Sequence, residues 1–277
     1  MDESVSSELC PALTDQQFAD SFGLFRQKTD QRVHMLAWIG DLFENLARRN
    51  KDMLSALSVG AGNGNFDLLL IELLSKKVQS LNYVAVEPNR ILCDQFKREF
   101  RAIDSHNTSL CIVQSSFENY LVAKKYDLIH FTHCLYHIKD RHRALEIARS
   151  NLNDDGCILI FNSTAVGLQD VRIKFSSLVR GVQGDICTEE QIHSVLQSSN
   201  ADYLYYELPS RVDVTECFDS HSEAGIMLLN FMLECDTQHL KKGLRATILN
   251  YLRSVSVERG GRIFMSHPVG TFLVSGK

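Results

Sequence analysis

Leu57-Ser58-Val59-Gly60-Ala61-Gly62-Asn63-Gly64-Asn65-Phe66-Asp67 joins a short apolar run to three alternating glycines, and an apolar segment, Leu68 to Leu74, follows at once. The run has the length of a buried strand, and the segment after it reads as a helix. Glycine belongs where the backbone turns with positive φ or where a ligand lies against it. Three in alternation exceed the needs of a simple strand-to-helix turn. Further along, Tyr83-Val84-Ala85-Val86 is a second apolar run, and it ends in Glu87. A carboxylate at the tip of a second strand suits the two hydroxyls of a ribose. Gly60, Gly62, Gly64 and Glu87, with Pro88 behind it, predict a site for an adenosine-containing cofactor.

Strand and helix patterns alternate around this segment. Strands are expected at 54–59, 82–87, 110–114, 126–131 and 157–162, with helices near 65–76, 89–101, 117–123 and 140–152. That alternation predicts an α/β fold, a doubly wound and mostly parallel sheet with helices on both faces. Upstream, residues 14–49 read as helical, with Thr14 and Gln17 spaced as a capping box. Phe18, Phe22 and Phe25 recur there at i, i+4 and i+7, a spacing that serves a core or a binding face. Residues 1–13 are expected to fray. The turn Asn153-Asp154-Asp155-Gly156 feeds the fifth strand. Beyond Asn162 the pattern loosens into a polar stretch to Gly184. A helix at 188–199, a strand-like run at 203–214, helices at 222–235 and 238–254, and a final strand interrupted by Pro268 then follow.

The cofactor is narrowed by what surrounds the glycines. The dinucleotide fingerprint G-x-G-x-x-G places its last glycine one position later and seats a pyrophosphate on a helix N-terminus. Here Asp67 falls in the first helical turn, where its charge opposes a pyrophosphate but tolerates a cationic sulfonium. These residues favour S-adenosylmethionine. Gln114-Ser115-Ser116-Phe117, at the end of the third strand, offers polar groups and an aromatic for an adenine. The fourth strand runs from Tyr126 through Thr132 into the aromatic-rich loop His133-Cys134-Leu135-Tyr136-His137. Ligands of doubly wound sheets lie at the carboxyl ends of strands, where this loop emerges.

Composition bounds the alternatives. The 277 residues, 44% of them apolar, are enough for a full core in a single domain. A net charge of −5 without a basic stripe argues against nucleic acid. No apolar stretch approaches the roughly 20 residues that span a bilayer, and the acidic, serine-rich start lacks a signal-peptide pattern. The eight cysteines contain no C-x-x-C pair, so no metal site is expected. Cys111, Cys134 and Cys157 sit in apolar runs and read as buried free thiols. The expectation is a soluble, cytoplasmic monomer acting on a small molecule, without a membrane or nucleic-acid partner.

Taken together, G-x-G-x-G, Glu87-Pro88 and "YDLIH...LYHIKD" resemble the class I S-adenosylmethionine-dependent methyltransferases, whose fold is Rossmann-like with a seven-stranded sheet. Within that group the chain is similar to the histamine N-methyltransferases. The segments "FADSFGLF", "LSVGAGNGNFDL", "VEPN", "DLIHFTHCLYHIKD" and "IFMSHPVGTFLV" have counterparts there in the same order. The resemblance implies one methyltransferase domain: a helical lid at 14–50, a cofactor core at 54–162, and an inserted helical substrate region with C-terminal strands at 163–277. It places Gly60, Glu87, Ser115 and Thr132 around the cofactor, with Gly62, Gly64, Pro88, Ser116 and Phe117 beside them. The family's cofactor-contacting glutamine is Leu92 here. On the acceptor side it implies Phe18, Phe22, Asp30, Gln31, His133, Tyr136, His137 and His267. The family's glutamate is Gln31, beside Asp30, and its glutamine after the fourth strand is His133. Several of these positions depart from the family, so a small amine or imidazole acceptor is expected without histamine itself being fixed. His133 is the side chain expected to assist catalysis. Other small acceptors, such as an imidazole dipeptide, an amino acid or a natural-product precursor, stay open. So does an inactive partner subunit that only binds the cofactor.

Overall fold

The computed structural model describes residues 9–46, 52–103, 105–120, 124–183 and 186–276. Of residues 1–13, expected to fray, 1–8 lie outside the described residues, whereas 9–13 are held: Cys10 N–H donates to the Val179 carbonyl and Asp236 N–H to the Pro11 carbonyl, each at 2.8 Å. The chain divides into two compact units. The larger comprises Arg32–Asn162, Cys187–Leu208 and Val269–Lys277; the smaller comprises Met1–Gln31, Ser163–Ile186 and Pro209–Pro268. The 14–50 segment expected as one lid is thus divided between them.

In the larger unit, β1 (Met53–Val59), β2 (Ser80–Glu87), β3 (Thr108–Gln114), β4 (Tyr126–Thr132), β5 (Leu152–Ser163), β6 (Tyr203–Leu208) and the last strand, β10 (Val269–Ser275), form one sheet. Its order is β3-β2-β1-β4-β5-β10-β6. The pairs β1–β2, β1–β4, β2–β3 and β4–β5 are parallel, and β10 runs antiparallel to β6. This is the expected seven-stranded, mostly parallel sheet. Side chains alternate faces with period two. Leu57, Val59, Val86, Ile129, Phe131, Ile158 and Ile160 point to one face with Ala144, Leu145 and Ala148 of α5 (Arg141–Ser150) and Ile192 and Leu196 of α7 (Glu189–Ser198). Ala56, Tyr83, Ala85, Leu128, Leu159 and Phe161 share the other face with α2 (Gln31–Leu46), α3 (Asp67–Ser75) and α4 (Arg90–Arg101). Burial on both faces explains the near-continuous apolar strands.

The expected turn at Asn153-Gly156 lies inside β5. Tyr126 pairs with Leu152 and Leu128 with Cys157, so 153–156 loop out as a bulge. The helix expected at 117–123 is a single 3-10 turn, Phe117–Asn119, and residues 121–123 lie outside the described residues. Cys134 and Cys157 are buried as expected, but Cys111 is exposed. It lies on β3, an edge strand with alternating half-covered positions, so its apolar neighbours did not imply burial.

The smaller unit has α1 (Asp15–Lys28), α6 (Leu168–Arg180), α8 (Glu223–Leu233), α9 (Lys242–Ser254) and the antiparallel sheet β7-β9-β8, made of Arg211–Asp213, Arg262–Ser266 and Ser256–Arg259. The capping box of Thr14 and Gln17 is present at α1. Phe25, Val171, Phe175, Leu229, Met232, Leu252 and Met265 are among its core. Helix α6 was missed in the segment read as polar, although Leu168, Val171, Phe175 and Val179 recur at helical spacing and are buried. The run at 203–214 is two strands in different sheets, as is the C-terminal strand broken at Pro268.

Gly225 marks a tight approach in this unit. A Cβ there would stand 2.0 Å from the Glu216 carbonyl oxygen. Gly225→Ala is predicted to cost about 1–3 kcal/mol, the usual penalty of overpacking. A lowered denaturant midpoint would show it, and an unchanged midpoint would mean that the 215–218 turn yields freely.

Candidate active site

The glycine loop is built as its spacing demands. Gly60, Gly62 and Gly64 all adopt positive φ, at 66°, 59° and 76°. A Cβ at Gly60 would meet Cys134 at 2.6 Å, and one at Gly64 would meet the Phe96 ring at 2.2 Å. These two glycines are thus required twice, by dihedral and by space. Gly62 differs, because nothing lies within 4 Å of where its Cβ would be.

Glu87 holds this loop. One carboxylate oxygen accepts the Gly62 N–H at 2.9 Å and the other accepts the Asn89 N–H at 2.9 Å. The residue is buried, yet each oxygen retains a further lone pair. Glu87 does not cap α4: Asn89 does, accepting from Ile91 and Leu92 N–H, while Pro88 stands exposed ahead of it. Open space over Gly62 beside a carboxylate with spare lone pairs fits a ribose diol.

At the neighbouring strand tip, Ser115 N–H donates to the Glu87 carbonyl, and the Ser115 hydroxyl donates to the Ser116 carbonyl at 2.9 Å. The Phe117 ring lies in the core, edge-on to Phe131 at 5.7 Å. It is therefore not a surface on which an adenine stacks.

Asp67 corrects the sequence reading. Its charge does not face a ligand at the helix start: it is 2% exposed, accepting a 2.8 Å hydrogen bond from the Tyr83 hydroxyl. Burial lifts its carboxyl to about 6, against the pull of the Ser58 and Tyr83 hydroxyls. The same Tyr83 oxygen lies 2.7 Å from His130 Nε2, and His130 Nδ1 lies 3.0 Å from Thr132 Oγ1. Burial holds His130 down at about 3, so it is neutral at ordinary pH. Tyr83 and His130 were not singled out from the sequence, though each is a polar group interrupting an apolar strand.

His133 follows Thr132 with φ at 50°, a left-handed conformation unusual for a side-chain-bearing residue. Its N–H donates to the Phe161 carbonyl, while its ring Nε2 is shut off from solvent and makes no hydrogen bond. Burial, reinforced by the positive charge of Arg32, holds the imidazole down at about 4. Tyr136 and His137 form an edge-on ring pair at 4.4 Å in the next 3-10 turn, with His137 exposed.

The other expected acceptor residues belong to the smaller unit. The structure brings Gln31 and His267 together, the Gln31 side-chain amide donating to the His267 carbonyl at 3.2 Å. Both are buried, and His267 lies edge-on to Phe25 at 5.6 Å. Asp30 accepts the Arg211 N–H at 2.8 Å and pairs with its guanidinium. Phe18 and Phe22 stack at 6.2 Å and stay about 40% exposed, at 44% and 39%, whereas Phe25 is core.

A sheet of this order with a glycine cradle and an acidic tip on β2 defines the class I methyltransferase architecture. A methyltransferase-domain family model matches residues 31–200, and the chain belongs to that family as an S-adenosylmethionine-dependent enzyme. Over 98% of its length the chain is 27% identical to histamine N-methyltransferase of Xenopus tropicalis, covering 99% of that protein. It is 26% identical to carnosine N-methyltransferase 2 of Gallus gallus over 80% of this chain and 73% of that one. Among solved structures, YcgJ of Bacillus subtilis aligns with a TM-score of 0.56 at 14% identity over 88% of this chain and 99% of that one. The plantazolicin methyltransferase BpumL, solved with SAH, aligns at 0.53 and 13% identity over 95% and 92%. Among the described residues no helix is long and apolar enough to cross a membrane.

A pH dependence follows from His133. Its folded pKa of about 4 lies below the ordinary 6.5, so between those values the unfolded chain binds more protons. The stability is fully present above pH 6.5 and is lost as pH falls toward 4. His133→Gln is predicted to flatten this loss by at most about 3 kcal/mol. Urea unfolding at pH 7 and pH 4.5 on both proteins measures it; identical pH dependence would contradict the neutral imidazole with its sheltered Nε2.

Proposed function

We propose that the chain methylates a nitrogen of a small amine or imidazole-bearing acceptor. The observation that carries this reading is His133. A neutral imidazole whose Nε2 has no protein hydrogen bond is held in a left-handed turn directly after the β4 tip. A buried polar atom without a partner costs about 1–3 kcal/mol, which a ligand's hydrogen bond recovers. Two similar relatives are named for histamine and carnosine, both imidazole-bearing amines. The carnosine relative supports a second acceptor, an imidazole dipeptide, alongside a histamine-like one.

Bound S-adenosylmethionine supplies the electrophilic methyl group. The chain's own residues bind and orient. Glu87 receives the ribose hydroxyls, the Gly60–Gly64 loop gives its backbone, and Ser115, Ser116 and Thr132 complete the cofactor contacts. Methyl transfer needs a neutral nitrogen lone pair aligned with the methyl, and such alignment is worth ~7–11 kcal/mol in well-oriented systems. His133 at about 4 is too weak a base to hold a proton at neutral pH. Its proposed role is accordingly to position the acceptor by hydrogen bonding, with Tyr136 and His137 beside it in the loop. An imidazole, largely neutral at pH 7, needs no stronger base. Gln31 and His267, like Asp30, Phe18 and Phe22, are retained as acceptor residues on the resemblance to the family alone. Eight free thiols, most of them buried, support a reducing compartment, and we place the enzyme in the cytoplasm as a monomer.

Mass spectrometry of products from histamine, carnosine, histidine and aliphatic amines at millimolar S-adenosylmethionine tests the acceptor. Imidazole-bearing amines should turn over at least ~10-fold faster than aliphatic ones; the reverse order would refute the assignment. Separately, Glu87→Ala should weaken S-adenosylmethionine binding ~10-fold or more in isothermal titration, as expected for charge-assisted hydrogen bonds. An unchanged affinity would remove Glu87 from the ribose site.

A further inference from the structure

Four polar side chains form a buried line through the larger unit: Asp67 on α3, Tyr83 on β2, His130 and Thr132 on β4. The Tyr83 hydroxyl is 2.8 Å from Asp67, the His130 Nε2 is 2.7 Å from Tyr83, and the His130 Nδ1 is 3.0 Å from Thr132 Oγ1. Asp67, Tyr83 and His130 are each at most 2% exposed; Thr132 alone, at the carboxyl end of β4, is half-buried. A group so buried gains little from solvent, and each hydrogen bond constrains the next.

The direction of the line follows from its acid end. An ionised Asp67 only accepts, so Tyr83 must donate to it. The Tyr83 oxygen is then left to accept, which makes His130 the Nε2–H tautomer. Its Nδ1 carries no proton and takes the hydroxyl proton of Thr132. The lone pairs of Thr132 Oγ1 are left facing outward.

What lies outward is set by the order of the strand tips. If Glu87 on β2 holds the ribose and Ser115 and Ser116 on β3 the adenine, the methionine half would lie on the other side of β2, where the strand order places β1 and then β4. Thr132 ends β4. Resting on the proposed cofactor contacts, we infer that Asp67, Tyr83 and His130 form a positioning relay that turns the lone pairs of Thr132 Oγ1, not its proton, toward the cationic sulfonium. An oxygen lone pair attracts that cation, whereas a hydroxyl proton repels it. The relay thereby favours the charged methyl donor over S-adenosylhomocysteine, its neutral product.

Isothermal titration with both ligands tests this without turnover. Tyr83→Phe cuts the line and should weaken S-adenosylmethionine about fivefold while changing S-adenosylhomocysteine less than about twofold. Thr132→Val should show the same selective loss, Thr132→Ser should bind as the wild type, and Tyr83→Phe should add nothing to Thr132→Val. Asp67→Leu, which removes the acceptor that sets the direction of the line, should repeat the selective loss and decides the matter if Tyr83→Phe unfolds. Equal losses for both ligands, or full additivity, would assign these residues a structural role and overturn the relay. If Thr132→Val is selective while Tyr83→Phe and Asp67→Leu are silent, the relay alone is overturned. If Thr132→Val changes neither ligand, the proposed Thr132 contact fails and the relay with it.

Discussion

One carboxylate ties the cofactor end of the sheet together. Glu87 accepts an N–H from the glycine loop after β1 and another from the residue that caps α4. A loop of three left-handed glycines has little conformational preference of its own, since glycine visits both signs of φ about equally. The hydrogen bond to Gly62 selects one arrangement, while Cys134 and Phe96 close in on Gly60 and Gly64 where side chains are missing. The proposed binding surface and the fold are therefore specified by the same atoms. That economy explains why the loop, and not the acceptor side, carries the strongest sequence signal.

The polar groups behind this end obey a different constraint. Asp67 and His130 each lose solvation, and burial moves them in opposite senses, one upward and one downward. Both shifts favour the neutral form. The Ser58 and Tyr83 hydroxyls favour the ionised carboxyl, and Tyr83 takes its own hydrogen bond from a neutral imidazole. A direct ion pair is avoided: His130 Nε2 and Asp67 are 3.7 Å apart with the Tyr83 hydroxyl serving both.

The sheet was legible because parallel strands buried on both faces leave continuous apolar runs and because the crossover helices are short and amphipathic. Where a face opens, the reading weakens. Cys111 on the edge strand β3 is exposed although its neighbours are apolar, since an edge has one less strand to cover it. Helix α6 escaped because polar residues lie between its buried positions and only the spacing reveals it. Asp67 looks open to a ligand in the sequence because helix-start carboxylates usually face outward. Its burial depends on Tyr83, sixteen positions away in sequence and adjacent only across β2. Gln31 and His267 illustrate the limit further, joined by a hydrogen bond over a separation of 236 residues that no local pattern encodes.

The sheet order has a consequence for the chain as it is made. Strand β6 pairs with β10, and β10 also lies beside β5, yet β10 is the last strand in sequence. Until residues 269–275 leave the ribosome, β5 has an open edge and β6 has no ladder to join. The parallel core from β3 to β5 is complete in sequence more than a hundred residues earlier. During synthesis a finished parallel core thus carries a sticky flank, and its closure waits on the final strand.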